Sequence, residues 1–162
     1  MSRKGFLILL TIILLGVAFQ SFTVAKLSLR VTGKWAFKID ANDLTGLAGS
    51  DFPGTFESSV TEIDLDVTKT AGDTSPWTLS VSRADVNWAP NVLVYLRRTT
   101  DGTGLGTIAG GTTYQLVTNT DTAFFTGTGD RTAIKIQLRL DFLAEDVNVD
   151  DYVTTVNYTV IE

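Results

Sequence analysis

The chain has 162 residues, 44% of them hydrophobic and 19% charged, which is enough for one domain with a buried core. It contains neither cysteine nor histidine. Their absence excludes disulfides, thiolate nucleophiles and cysteine or histidine metal sites, and it argues against a hydrolytic triad. The net charge of −5 disfavours nucleic acid as a partner, because phosphates require a basic surface.

The N-terminus has the pattern of a secretory signal peptide. Arg3 and Lys4 precede an apolar run over residues 6–19, and residues 20–25 lead to a small residue, Ala25. We expect cleavage after Ala25, giving a leader of residues 1–25 and one domain over residues 26–162. The apolar run is shorter than the roughly 20 residues that span a bilayer, so we expect no membrane span after cleavage. An uncleaved N-terminal anchor is the alternative.

A second alternative for the same region rests on Lys4, Gly5 and Phe6. This triplet is similar to the prepilin cleavage site of type IV pilins, which usually carry a glutamate where this chain has Leu10.

If the signal peptide is cleaved after Ala25, export removes two basic residues and no acid, so the net charge becomes −7. We therefore expect a secreted, cell-surface or periplasmic protein that does not bind nucleic acid.

The mature chain begins with a strict alternation of apolar and polar residues over Leu27–Ile39, which predicts a strand that bends at Gly33. Ile63–Val67 alternates in the same way and predicts a second strand. The outward face of the first strand is basic and that of the second is acidic. We therefore expect the two strands to be neighbours, with Lys34 and Lys38 opposite the acidic residues.

Further strands are predicted along the rest of the chain. They cover residues 77–81, 92–98, 114–117, 134–142 and 152–160, with loops or turns at 40–59, 71–76, 85–91, 99–112, 126–130 and 144–151. The strand at 77–81 is expected to form a hairpin with the second strand. Trp35 and Trp77 are in phase with apolar neighbours and are predicted to lie in the core. About seven short strands without helices between them predict an all-β, antiparallel, two-sheet immunoglobulin-like sandwich.

The polar clusters give no complete catalytic or metal site. Asp146, Asn148 and Asp150 have the spacing of a calcium loop, but Asp151 and Asn157 replace the glycine and glutamate of an EF-hand. A looser calcium site stays open. The glycines of residues 102–111 lack the lysine and helix of a phosphate-binding loop. We therefore predict no enzyme, no cofactor and no metal site.

Trp88 is the aromatic residue most favourably placed to contact a ligand, because it lies in a predicted loop beside Pro90. Carbohydrate-binding modules are small exported sandwiches that stack sugars on exposed aromatic rings. A secreted carbohydrate- or ligand-binding module, with glycans as partners, is therefore the alternative function.

The closing segment, Asp151–Val160, resembles the final strand of spore coat protein U and of chaperone–usher pilin-like domains, although Asp151 stands where they usually have glycine. The resemblance implies a subunit that assembles by adding a strand to a neighbour's sheet. Leu27, Leu29 and Val31 are the candidate strand donor; the alternative is that they form the chain's own first strand.

These observations predict an exported structural or adhesive protein of the cell envelope. A pilus-like fibre subunit is the specific form that the resemblance implies. Its partners would be other copies of itself or other envelope proteins.

Overall fold

The computed structural model describes residues 27–38, 54–143 and 152–162. In these ranges the chain forms ten strands and no helix. They are β1 (Ser28–Thr32), β2 (Thr55–Glu57), β3 (Ile63–Thr68), β4 (Pro76–Asn87), β5 (Val92–Arg98), β6 (Ile108–Gly110), β7 (Gln115–Leu116), β8 (Thr122–Thr128), β9 (Arg131–Phe142) and β10 (Val153–Ile161). The predicted leader, with its cleavage site at Ala25, lies outside the described residues. Within them, no helix has the length and hydropathy needed to cross a membrane.

The strands form two antiparallel sheets. The order in the first sheet is β1-β3-β9-β5-β7, and β2 pairs with the C-terminal end of β9, beyond β3. The order in the second sheet is β10-β4-β8-β6. The predicted all-β class and two antiparallel sheets are therefore confirmed for the described residues. The predicted number of strands is too low, because the sequence pattern does not predict β2, β6 or β8.

Alternating side chains from both sheets meet in one apolar core. Its buried members are Ile63, Leu65, Val67, Trp77, Leu79, Val81, Leu96, Val117, Phe124, Phe125, Ile134 and Ile136. Trp77 is 1% exposed and donates its Nε1–H to the carbonyl oxygen of Gly129 at 2.8 Å, so its predicted core position is confirmed. Gly127 lies against this ring, where a Cβ would come within 2.3 Å of a ring carbon.

The predicted first strand is wrong in length, because β1 ends at Thr32. Gly33 follows with a φ of +117°, which other residues rarely adopt, and a Cβ at this position would lie 2.3 Å from the carbonyl oxygen of Glu62. Trp35 lies beyond this turn. It is half-buried and stacked on Phe37, with ring centroids 5.6 Å apart, so its prediction as a core residue is wrong.

β1 and β3 are neighbours, as predicted. Arg30 lies opposite Asp66, and its guanidinium is 3.7 Å from the carboxylate. Lys34 and Lys38 lie beyond the end of β1 and have no cross-strand position opposite β3. The predicted opposition of basic and acidic faces is therefore correct for Arg30 and wrong for the two lysines.

The predicted hairpin between β3 and β4 is wrong, because these strands lie in different sheets. The chain crosses between the sheets over residues 69–75. Lys69 stabilises the crossing, since its buried ammonium donates to the carbonyl oxygen of Ser75 at 3.2 Å and lies 3.3 Å from Asp73. Both strands alternate in burial, and alternation indicates a buried face without specifying the neighbouring strand.

β8 contains a bulge that disrupts its alternation. Leu79 of β4 pairs with Phe125, whereas the next residue, Ser80, pairs with Ala123, so Phe124 is an extra residue. Both phenylalanines are consequently buried although they are consecutive. A period-two pattern does not identify such a strand.

The predicted exposed loop over residues 99–112 contains β6 and is bound to the rest of the protein. The guanidinium of Arg131 donates to carbonyl oxygens of Asp101, Gly102, Gly104 and Gly106 at 2.6–3.2 Å. The chain passes so close that a Cβ at Gly106 would overlap the carbonyl oxygen of Thr128, at 1.6 Å. The glycines are therefore needed for close backbone approach.

Candidate functional site

Each sheet of the sandwich has two edges, which gives the molecule two lateral sides. On one side the edge strands are β6 and β7, with three and two residues. Hydrogen bonds join the two sheets there: Arg98 donates to the carbonyl oxygen of Gly110 at 3.0 Å, and Gln115 to that of Ala123 at 3.0 Å. We call this the closed side. Short edge strands of this kind offer little backbone to another chain.

On the other side the edge strands are β1 and the short β2 in the first sheet and β10 in the second, and β1 and β10 lie next to each other. We call this the open side. β10 has nine residues, Val153–Ile161, and none of them is charged or proline. Among the described strands, only β4 pairs with it. Natural edge strands are usually short, charged or interrupted by proline, because a long uncharged edge pairs readily with another strand. The β10 edge is therefore the candidate functional site.

The direction of the peptide groups along β10 follows from its neighbour. The backbone N–H of Arg83 in β4 donates to the carbonyl oxygen of Thr118 at 2.8 Å. This bond lies on the side of β4 that faces away from β10. Since peptide groups alternate in direction along a strand, the preceding residue, Ser82, faces β10, where its partner is Asn157. The backbone N–H and C=O of Asn157 therefore point to β4. The residues on either side of Asn157 direct their backbone N–H and C=O groups to the open edge.

The two faces of β10 differ in exposure. One face is half-buried against the core and consists of Thr154, Val156, Tyr158 and Val160. The Tyr158 hydroxyl is buried without a hydrogen-bond partner among the described residues, and this burial raises the pKa of Tyr158. The other face is exposed, and its two ends are apolar: Val153 is 51% exposed and Ile161 is 56% exposed. Apolar side chains therefore reach both faces of an unpaired edge.

The C-terminal end of β10 is fastened by an ion pair. The ammonium of Lys69 is 2.5 Å from the carboxylate of Glu162 and 3.3 Å from that of Asp73. Burial acts to lower the pKa of Lys69, but its hydrogen bonds to the two carboxylates outweigh that effect and raise it. Hydrogen bonds from the N–H and hydroxyl of Ser75 lower the pKa of Asp73. This ion pair stabilises the position of β10 at the edge of its sheet.

The candidate strand donor lies in β1 and at its start. Leu27 and Leu29 are half-buried, Val31 is 43% exposed, and β1 pairs with β3 of the same chain. A hydrogen bond between the Ser28 and Thr68 hydroxyls, 2.7 Å long, supports this pairing. The segment therefore forms the chain's own first strand here, and its donation to a second chain stays a prediction.

Trp88 lies between β4 and β5, as the sequence predicts, and it is half-buried. Its Nε1–H donates to the carbonyl oxygen of Val92 at 2.7 Å. The guanidinium of Arg83 lies 5.6 Å from the ring centroid, and Tyr152 packs against the ring edge-on. Much of the ring is thus in contact with the protein itself, which leaves less of it for a sugar. Its role as a ligand contact stays a prediction.

A stack of arginine and tyrosine side chains covers the outer face of the first sheet and is not predicted from the sequence. Arg139 lies between Tyr95 and Tyr114, at 4.5 and 4.4 Å from the ring centroids, and Arg97 lies 4.7 Å from Tyr114. Burial raises the pKa of Tyr114 to about 12, and the Glu57 carboxylate nearby acts in the same direction. These rings already face arginines, so the stack is a packed outer layer rather than an empty binding surface.

The predicted acidic segment with Asp146, Asn148 and Asp150 lies outside the described residues. In the ranges that are described, no group of three or more acidic side chains is arranged to hold a metal ion. No family model, no curated protein and no solved structure matches this chain.

Proposed function

We propose that this chain is an exported structural or adhesive protein of the cell envelope, with its leader removed after Ala25. In this proposal the remaining domain is an immunoglobulin-like sandwich that works by contact with other copies or envelope proteins. Its means of assembly is strand addition at the open side, and a fibre is the assembly that repeated addition would produce. The observation that carries the proposal is the β10 edge, whose nine uncharged residues pair on one side only among the described strands.

The contrast with the closed side supports this proposal. β6 and β7 are short, and hydrogen bonds between the sheets cover that side. If the protein acted as a monomer, the same protection would be expected at β10. A long, β-branched edge instead favours backbone pairing with another chain.

The β1 segment, with Leu27, Leu29 and Val31, is the donor that the resemblance implies. Its release would remove a strand from the edge of β3, where Leu65 and Val67 are fully buried. Deleting the segment would therefore damage the core and the assembly together. A test directed at the exposed face of β10 separates the two effects.

The test replaces Thr155 and Thr159 with lysine in one double variant. Both threonines are on the exposed face of β10, and charges on an edge strand oppose its pairing. The matched control is Thr126→Lys, on the exposed face of β8, a central strand of the same sheet. Sedimentation and electron microscopy of protein purified after expression of the full chain should show concentration-dependent assemblies for the unmodified protein and for the control. The double variant should remain monomeric.

Two results would contradict the proposal. One is an unmodified protein that stays monomeric at every concentration reached. The other is a double variant that assembles as the unmodified protein does. Circular dichroism of all three proteins verifies that the sandwich is folded in each.

A further inference from the structure

On the exposed face of β10, the residues met in either direction from the centre of the strand are similar. Asn157 is the central residue of the nine. Thr155 and Thr159 lie two positions away on either side, and the apolar residues Val153 and Ile161 lie four positions away. All five side chains are on the exposed face. A strand with this symmetry is complementary to a second copy of itself in antiparallel orientation.

We infer that β10 pairs with β10 of a second copy about a two-fold axis at Asn157. This inference rests on the proposed function and names the partner and register of the same edge; the two-fold pair is a closed dimer, and a fibre would need a further contact between dimers. In this register Val153 lies opposite Ile161 of the second copy, and Thr155 lies opposite Thr159. The exposed apolar ends of each strand therefore cover each other.

On the half-buried face the same register pairs different but uncharged residues. Val156 lies opposite Tyr158 of the second copy, and Thr154 lies opposite Val160. Each apolar or β-branched residue thus meets another, and the register places no two like charges opposite each other, because the strand has none. The two four-stranded sheets become one continuous sheet of eight strands.

The peptide groups also match. Those of Thr154, Val156, Tyr158 and Val160 point to the open edge, as the bonding between β4 and β10 requires. In the two-fold register these residues face one another as hydrogen-bonded pairs, and the two Asn157 residues form a pair without backbone hydrogen bonds. No strand of either copy has to be released, whereas donation of β1 would require its separation from β3.

Cysteine cross-linking tests the register directly, since the chain has no cysteine of its own. In a pair without backbone hydrogen bonds the Cα atoms are about 4.5 Å apart, which lies within the range that a disulfide spans. Asn157→Cys should therefore form a covalent dimer under oxidised glutathione. Thr155→Cys alone and Thr159→Cys alone should not, but an equal mixture of these two variants should. The full chain is expressed for every variant, and reduction should release the monomers.

The outcomes separate the register from the proposed function. If the unmodified protein assembles but neither Asn157→Cys nor the mixture cross-links, the two-fold register is wrong while strand addition stands. Cross-linking of Thr155→Cys with itself would indicate a shifted register and would also overturn the inference. An unmodified protein that remains monomeric, together with cysteine variants that give no cross-link, contradicts both the register and the proposed function.

Discussion

The two lateral sides of the sandwich differ in the hydrogen bonding of the backbone groups at their sheet edges. On the closed side, the sheet edges are short and arginine side chains donate to backbone carbonyl oxygens, as Arg98 does to that of Gly110. On the open side, β10 directs a row of peptide groups outward with no charged side chain among its nine residues. The closed side gains stability from contacts within the chain, whereas the outward peptide groups of β10 have no strand partner among the described residues. The comparison indicates that substitutions on the two sides should affect different measurable properties.

Arg131 provides the strongest test of the closed side. Its guanidinium is bonded to four carbonyl oxygens of the segment that leads into β6. Arg131→Met would remove these part-buried hydrogen bonds from a charged donor, and we expect a loss of about 3 kcal/mol or more in the free energy of unfolding. Urea unfolding of the variant and the unmodified protein measures this loss of free energy.

Arg131→Lys is the matched variant for this test. Lysine keeps the charge but lacks the planar fork that reaches several carbonyls at once, so an intermediate loss is expected. A loss below about 1 kcal/mol for Arg131→Met would mean that the loop does not depend on this residue, and the contrast between the two sides would fail.

Gly127 tests the packing that supports β6. It lies in β8, next to β6, and a Cβ there would come within 2.3 Å of the Trp77 ring. Gly127→Ala should lower the free energy of unfolding by about 1–3 kcal/mol, the usual cost of overpacking a core. The control is Gly54→Ala, because no heavy atom lies within 4 Å of a Cβ at that position. Equal thermal midpoints for the two variants would show that the core adjusts around the ring.

The extent to which the sequence predicts this fold depends on where alternation persists. β10 alternates in exposure along its whole length, and β9 alternates apolar and polar residues over Ile134–Phe142, so the residues that share a face are predictable from side-chain period alone. The faces of β8 are not predictable in this way, because the bulge at Phe124 places two consecutive phenylalanines in the core. The hairpin predicted between β3 and β4 fails for another reason, since the order of strands in a sheet depends on contacts such as those of Lys69.

The candidate site was predictable in part. The uncharged run of β10 is visible in the sequence, and so is its period. That this strand lies at a sheet edge is a property of the topology, which no local pattern encodes. The apolar alternation of β1 suggested a donor, but the same alternation suits a strand paired within its own chain, which is where β1 lies.

The smallest expected effect concerns the ion pair that fastens β10 on the open side. The lowered pKa of Asp73 means that its carboxylate stabilises the folded state above its ordinary pKa of 3.8, and this contribution is lost as the pH falls through the lowered value. The raised pKa of Lys69 has the opposite consequence: its contribution is present below its ordinary pKa of 10.5 and is lost as the pH rises through the raised value.

Asp73→Asn should therefore flatten the acid limb of the stability profile, which thermal unfolding between about pH 5 and pH 2 measures. Asparagine keeps an oxygen that can accept the hydrogen bonds from Ser75 but removes the negative charge beside Lys69, so the change isolates the charge. Asp121→Asn, at an exposed carboxylate between β7 and β8, serves as the control and should leave the acid limb unchanged. If both variants gave the same profile as the unmodified protein, the Asp73 carboxylate would not contribute to the stability of the folded state at acid pH.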